Sequence, residues 1–400
     1  MQQERLIDYR EIAEKYTFSE HAQRADRYFS GINVDSQVAR KPFASPTEVP
    51  GTVCGISMMV AGLDLFPGAK VLDFGAGTCW VSRLLAMMGC EVTAADVSVN
   101  ALKVGEQLIS ADPVAKHLNV SFALLEGQAL PFEDGSFDRI VIFDAFHHCR
   151  DQLPMIGEFH RVLRGGGIVA FHEPGPHHSR SPQSQYEMRH FDVIEGDIVV
   201  EDLFAEARRV GFGKAQLAAF PSRPALVDLE EYGRFLAGEG GTAHAISEQA
   251  RLECVERRVF FLHKEGGVAP DSRSALSLHA ELDLTVTLDV SVAVLSGRIV
   301  NVGPGTWLPS MGGVGSVNLG VHLTHPDGYN HDHARLAITD APVPAGAACE
   351  ILGRVALPNA DRFRFIFDLV AEGVTWFELN GTRPAEFEVD RTAGTVTRIS

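Results

Sequence analysis

The residues best equipped for chemistry gather where two apolar runs end. Val71 to Trp80 reads VLDFGAGTCW, an apolar strand that ends in Asp73 and runs into Gly75-Ala76-Gly77. A second acidic strand end, Asp96, follows about one βα unit later. A glycine turn of this kind lets backbone N–H groups approach a nucleotide, and an acid on the next strand accepts the ribose hydroxyls. The two carboxylates decide which nucleotide. A dinucleotide turn needs a third glycine for helix packing, and that position holds Trp80. Asp73 would also repel a nearby phosphate by about 4 kcal/mol at ~4 Å with an effective dielectric of ~20. The same charge attracts a cation. S-adenosylmethionine carries an ammonium and a sulfonium and no phosphate, so it is the nucleoside these residues suit. Asp96 fits either nucleotide.

A second polar concentration follows the fourth and fifth strands. The fourth ends in Asp144-Ala145-Phe146-His147-His148, and the fifth in His172-Glu173-Pro174-Gly175-Pro176-His177-His178. Methyl transfer from a sulfonium is a direct displacement, so much of its rate comes from holding the acceptor in line. A hydroxyl acceptor also needs a base, and His has a suitable pKa. His147 is the candidate base. Glu173 either takes the proton or orients an imidazole, and His177 is the third catalytic candidate. His148 reads as a cap of the following helix, and Asp144 as another. A metal is not expected, because HEPGPHH lacks the H-E-x-x-H spacing and its prolines prevent the helix that would align the ligands.

Parallel strands alternating with helices must position these groups, which implies an α/β doubly wound, Rossmann-like sheet. Strands are expected at 70–74, 91–95, 121–125, 139–143, 168–172, 214–220 and 258–263, with a helix at 201–210. The ordered segments resemble the class I S-adenosylmethionine-dependent methyltransferases, in particular the group whose third motif has the form acid-x-x-x-LPF-x-x-x-x-FD. VLDFGAGT is similar to their first motif and EVTAAD, Glu91 to Asp96, to the second strand with its ribose acid. EGQALPFEDGSFDRIVIFDAFHH, Glu126 to His148, is similar to the third and fourth motifs, and RVLRGGGIVAFHEPG, Arg161 to Gly175, to the helix, glycine turn and fifth strand that follow. The resemblance covers about residues 67 to 175. It implies that Asp73, Gly75, Gly77 and Asp96 bind the cofactor. Glu126 would face the adenine amino group, Gly127 offer its N–H, and Phe143 lie beneath the cofactor. Cys79-Trp80 departs from the small residues usual after the turn.

Composition narrows the partners. A formal charge of −17 over 400 residues, with no basic run, argues against nucleic acid. The charged N-terminus lacks the apolar core of a signal peptide, and Ile56 to Leu63 is too short to span a bilayer, so membrane insertion is not expected. Six scattered cysteines without a C-x-x-C read as reduced thiols in a cytoplasmic protein. Cys79 beside the turn reads as a packed small residue rather than a reactive one.

Residues 1–66 form a helical N-terminal cap in which Tyr9, Tyr16 or Tyr28 closes over the site. The methyltransferase-like domain then occupies 67–265, with 221–257 an inserted helical segment. Lys41 to Pro50 and Ser179 to Arg189 shape the acceptor pocket, with Gln183, Gln185, Tyr186 and Arg189 able to hold a polyhydroxylated acceptor. A polar linker, 266–274, leads to 275–400, where helical periodicity gives way to alternating runs at 284–294, 316–325, 348–356 and 362–371. Turn dipeptides Asp327-Gly328 and Asn380-Gly381 punctuate them, the pattern of an antiparallel β-sandwich. Its texture is similar to immunoglobulin-like accessory domains on bacterial glycan-assembly enzymes. Trp307, Trp376 and Phe377 read as core first and sugar-stacking rings second. The favoured function is O-methylation of a sugar or glycan intermediate. The alternatives are N- or C-methylation of a small metabolite, with the sandwich building a homodimer, and a non-catalytic scaffold.

Overall fold

The computed structural model describes residues 5–220, 226–267, 270–310, 312–325 and 328–400, and all counts of elements refer to these. Two compact units divide at residues 267 and 268. The first begins with helices α1 (Tyr9–Lys15), α2 (Phe18–Phe29) and α3 (Val49–Leu63). Helix α2 starts on a capping box: Thr17 Oγ1 accepts from Glu20 N at 3.4 Å, and Glu20 Oε2 accepts from Thr17 N at 2.8 Å. None of its side chains is buried in the protein core.

Strands β1 (Lys70–Phe74), β2 (Glu91–Asp96), β3 (Val120–Leu124), β4 (Phe137–Phe143), β5 (Leu163–Pro174), β6 (Phe212–Ala218) and β7 (Arg257–Lys264) pair in the order β3-β2-β1-β4-β5-β7-β6. The first five run parallel, and β7 is antiparallel to both neighbours. The helices between them are α4 (Trp80–Met87), α5 (Val99–Ala111), α6 (Gln152–Val162), α7 (Pro182–Phe191), α8 (Val200–Val210), α9 (Tyr232–Leu236) and α10 (Thr242–Glu256). Strands covered on both faces need continuous apolar runs, which is why β1 and β4 read VLDF and RIVIF with nearly every residue buried. Helix α8 carries Glu201 and Asp202 in its first turn, Arg208 and Arg209 in its last, and Gly211 at φ 110° beyond it. Those charges complement the helix dipole, and the left-handed glycine ends the helix.

The glycine run Gly165-Gly166-Gly167, expected as a turn before the fifth strand, is instead the opening of β5 itself, with a register shift against β4. A Cβ on Gly165 would meet the backbone of Gly266 and Gly267 at 2.6–2.8 Å, so only glycine allows that approach. Pro221 to Ala225, the start of the inserted segment, lies outside the described residues, and the remainder carries α9 and α10.

In the second unit β11 (Gly328–Ala337), β10 (Val317–His325), β13 (Arg362–Ala371), β15 (Ala385–Asp390) and β16 (Thr395–Arg398) form one sheet in that order, with β14 (Thr375–Trp376) paired to β13. Strands β12 (Ala348–Ala356), β9 (Val292–Asn301) and β8 (Ala280–Asp289) form the other. All pairs are antiparallel. One apolar core, including Leu295, Trp307, Leu319, Phe365 and Phe367, draws on both sheets. The run expected as a strand at 284–294 is two strands, because the chain reverses between Asp289 and Val292. Alternation persists through a tight hairpin, so it concealed the turn. Asp327, Val268 and Ala269, from the expected turn and linker, lie outside the described residues.

Candidate functional site

Strand β1 has β2 and β3 on one side and β4 and β5 on the other, so the order reverses at its carboxyl end. Ligands of open α/β sheets bind in the crevice such a reversal leaves. A cavity of about 300 Å³ lies there. Its floor includes Gly75, Gly77, Asp96, Gly127 and Phe143, and its walls include Phe18, Ala22, Ala25 and Phe29 of α2 with Tyr28, Lys41, His148 and Glu187. Gly75 (φ 72°) makes the floor thin, since a Cβ there would meet the Cβ of Ala145 at 2.3 Å. Asp96 anchors the turn: Oδ2 accepts from Gly77 N at 2.8 Å and Oδ1 from Ser98 N at 2.8 Å. Burial pushes its carboxyl up, and these N–H groups offset part of that.

Asp73 is buried and does not line the cavity; it accepts from Ser82 Oγ at 2.5 Å and ties the end of β1 to α4. Burial raises its carboxyl to about 7, because a hydroxyl is weak compensation for a buried charge. Glu126 is exposed and outside the lining, whereas Gly127 and Gln128 are in it. Trp80 meets Phe143 edge to face at 4.9 Å, and His172 stacks on Phe143 at 3.9 Å. The bulky Trp after the turn therefore supports the ring that floors the cavity. Burial pushes the Cys79 thiol far up, in keeping with packing rather than reactivity.

The structure separates the two adjacent histidines. His147 is buried, with Nδ1 at 2.7 Å from Glu173 Oε2. Glu173 is fully buried and also accepts from the backbone N–H groups of Ala145, Phe146 and His147 at 2.9, 2.8 and 3.3 Å. It thus tethers the loop after β4. Burial lifts Glu173 to about 7, with Asp144 adding to the rise, and drives His147 well below its usual range. Neither lines the cavity. His148 does, with 45% of its side chain accessible. Its Nδ1 lies 2.7 Å from Ile194 O and 3.3 Å from Glu195 Oε1.

Glu195 is the residue sequence reasoning missed, because it lies in the irregular segment between α7 and α8, which carries no motif. It is buried, and its Oε2 lies 2.9 Å from Nε2 of His178, which is 3.2 Å from Ser184 Oγ. Burial opposes ionisation of Glu195, yet His178 and His148 outweigh it and hold the carboxyl at about 2. For His148, burial works downward, and Glu195 with the Ile194 carbonyl more than reverses it. His147, His178 and Glu195 bring one nitrogen or oxygen each within 4.8 Å of one another. Two hydrogen-bonded pairs, His147 with Glu173 and His178 with Glu195, use part of this set, and Glu195 Oε1 accepts no hydrogen bond among the described residues. His177 is exposed and outside both this cluster and the cavity.

Asp144 (φ 50°) lines the cavity and pairs with Arg257, so it does not cap a helix. Burial would raise it, but Arg257 and His172 hold it well below the usual carboxylate range. Of the cap tyrosines, Tyr28 lines the cavity and Tyr9 and Tyr16 do not. Gln183, Gln185, Tyr186 and Arg189 are absent from the lining; Gln185 instead binds Ile7 N, Ile7 O and Ser179 O at 2.8–2.9 Å. Glu187, one turn along α7, takes the position on the cavity.

Residues 72–171 match the model of a methyltransferase domain family. Among curated relatives, the demethylmenaquinone methyltransferase of Streptomyces griseus is 31% identical over 134 residues, 33% of this chain and 55% of that protein. That of a Parafrankia species is 31% identical over 175 residues, 39% of this chain and 69% of the relative. The 2-methyl-6-phytyl-1,4-hydroquinone methyltransferase of a Synechocystis species is 39% identical over 110 residues, 27% of this chain and 33% of the relative. The chain spans about half the length of the first of these relatives.

Proposed function

The chain belongs to the S-adenosylmethionine-dependent methyltransferases, and from that premise we propose that it methylates a small acceptor with an apolar body that enters beneath α2. Phe18, Ala22, Ala25 and Phe29 carry this reading. Their spacing of four, three and four residues puts them on one helical face, and that face lines the cavity although none of it is buried in the core. An apolar wall left uncovered by protein suits an apolar ligand. The hydroquinone and menaquinone relatives act on acceptors with such bodies. This favours a small metabolite over a sugar as acceptor, since a sugar's hydroxyls would miss Gln183, Gln185, Tyr186 and Arg189.

The cavity's size and donor set fit S-adenosylmethionine. Asp96 would take the ribose hydroxyls, Gly75, Gly77 and Gly127 the close backbone contacts, and Phe143 an apolar face. Asp96, Asp144, Asp151 and Glu187 outnumber Lys41 and Arg150 around the cavity, so its field favours a cation. When bound, the cofactor supplies a methyl carbon for displacement. The protein orients the acceptor and, through α2 and Tyr28, keeps water away. The C-terminal unit we read as an immunoglobulin-like accessory module, on the strength of its two antiparallel sheets and shared core.

Calorimetric titration with S-adenosylmethionine should give micromolar binding, weakened about 100-fold by Asp96→Ala, as expected when a charged acceptor of two hydrogen bonds is lost. Labelled methyl should pass to naphthols and hydroquinones and not to monosaccharides. Transfer to sugars alone would return the acceptor to the glycan class, and absence of binding would remove the enzymatic reading.

A further inference from the structure

Two histidines sit side by side after β4, and their surroundings assign them different work. The imidazole of His147 is spent on Glu173 inside the protein. His148 opens onto the cavity, and its Nδ1 is committed to the Ile194 carbonyl with Glu195 Oε1 alongside. A backbone carbonyl accepts only an N–H, so Nδ1 carries the hydrogen and Nε2 is left as the basic lone pair. Among the described residues Nε2 has no protein partner. Glu195 is itself fixed by His178, which Ser184 abuts at the start of α7. The order imidazole, buried carboxylate, second imidazole is that of a base whose tautomer and positive charge are both supported from behind.

We propose that His148 is the general base of the methyl transfer, that Glu195 and the Ile194 carbonyl position it with His178 bracing Glu195, and that the acceptor atom is a hydroxyl oxygen. This rests on the methyl-transfer reading above. The acceptor's O–H bond breaks and its proton passes to Nε2 of His148. The oxygen bonds to the methyl carbon as the carbon–sulfur bond breaks and leaves its electron pair on sulfur. The imidazolium formed lies 3.3 Å from the Glu195 carboxylate, which stabilises it, and it loses the proton to water as product leaves. The charged or titratable groups facing His148 are Glu195, Glu187 from α7, Glu173 from β5, Asp96 from β2 and the ring of His147 at 4.0 Å. All the carboxylates among them favour the protonated ring. Removal of Glu195 therefore makes His148 a weaker base.

The test uses the full-length protein with labelled S-adenosylmethionine and 2-naphthol, 1,4-naphthohydroquinone, and the amine and thiol analogues of naphthol as probes. Wild type should methylate the hydroxyl probes. His148→Gln should lower kcat at least 100-fold, within the range for a lost general base, with KM and calorimetric cofactor affinity within about threefold. Glu195→Gln should lower kcat about tenfold and move the acid limb of the kcat profile to lower pH, because the ring then protonates less readily. A merely structural Glu195 would lower the melting temperature and leave the limb in place. The proposal falls if His148→Gln keeps its kcat, if the limb does not move, or if a cofactor-binding wild type methylates only amines and thiols or no probe at all. It also falls if EDTA abolishes transfer and Mn²⁺ restores it, since His147, His178 and Glu195 would then serve a metal. A wild type that does not bind the cofactor strikes instead at the methyl-transfer reading.

Discussion

The two units bury polar groups in opposite ways. In the first, Asp73, Asp96, His147, Glu173 and Glu195 collect at or beyond the carboxyl ends of parallel strands, and several bind one another. In the second, several buried polar groups are tied to backbone: Asn301 Nδ2 to Gly305 O and Val343 O at 2.7 and 2.9 Å, Ser277 Oγ to Asp271 O and Ser274 O at 2.8 Å, Asp368 Oδ2 to Glu378 N at 3.1 Å. Parallel strands all end on the same side and leave a crevice where their terminal residues face a common space. Antiparallel strands alternate direction, so their ends are consumed by turns. Convergent polar groups therefore mark the unit that does chemistry. The aromatic rings follow the same division. Trp307 and Phe377 are fully buried and meet edge to face at 5.5 Å, which places them in the core and removes them as sugar platforms. Trp376, half-buried, lies under Arg335 at 4.4 Å.

The comparison breaks most visibly at Trp307. Trp307→Ala should cost about 3–5 kcal/mol, typical of a large ring removed from a packed core, read as a lowered denaturation midpoint of the second unit, while cofactor affinity stays unchanged. A large loss of cofactor binding would contradict the separation of tasks. Glu173→Gln probes the other unit. The amide replaces one acceptor oxygen with a donor facing N–H groups, and about 2–3 kcal/mol should be lost. Because Glu173 tethers the loop that bears His148, kcat should also fall at unchanged cofactor affinity.

Asp368→Asn sharpens the contrast by pH. Burial raises this carboxyl to about 7, and its Oδ1 accepts no hydrogen bond among the described residues. The folded state then holds the proton more tightly than the unfolded one, so wild-type stability falls as pH rises from about 4 to about 7 and is unpenalised below that range. Keeping the carboxyl at about 7 rather than 3.8 costs up to about 4 kcal/mol above neutrality. Asparagine should recover about 2 kcal/mol of it at pH 8 and nothing at pH 3.5, as chemical denaturation at the two pH values will show. Equal gains at both would mean that desolvation of the charge is not the cause.

Much of this was legible in the chain. Strand positions followed from apolar runs, since strands covered on both faces tolerate little else, and β1, β2 and β4 lie within two residues of their expected ends. Gly75, Gly77, Asp96, Gly127 and Phe143 line the cavity because each lies at, or within three residues of, a strand end, and the strand fixes where its end points. The division between the units coincides with the loss of helical periodicity after residue 265.

What the sequence determined by itself was therefore whatever short-range pattern governs: element type, the glycine turn, the acidic strand ends and the change of architecture along the chain. Only the tertiary structure decided which of two neighbouring histidines meets the cavity, that Glu173 holds a loop, that Asp73 bonds Ser82, and that Glu195 stands behind His148. Adjacent side chains leave a turn in different directions, and groups 47 residues apart, such as His148 and Glu195, meet only when packed elements force them together. Their chemistry depends on burial and partners, and neither is a property of local sequence.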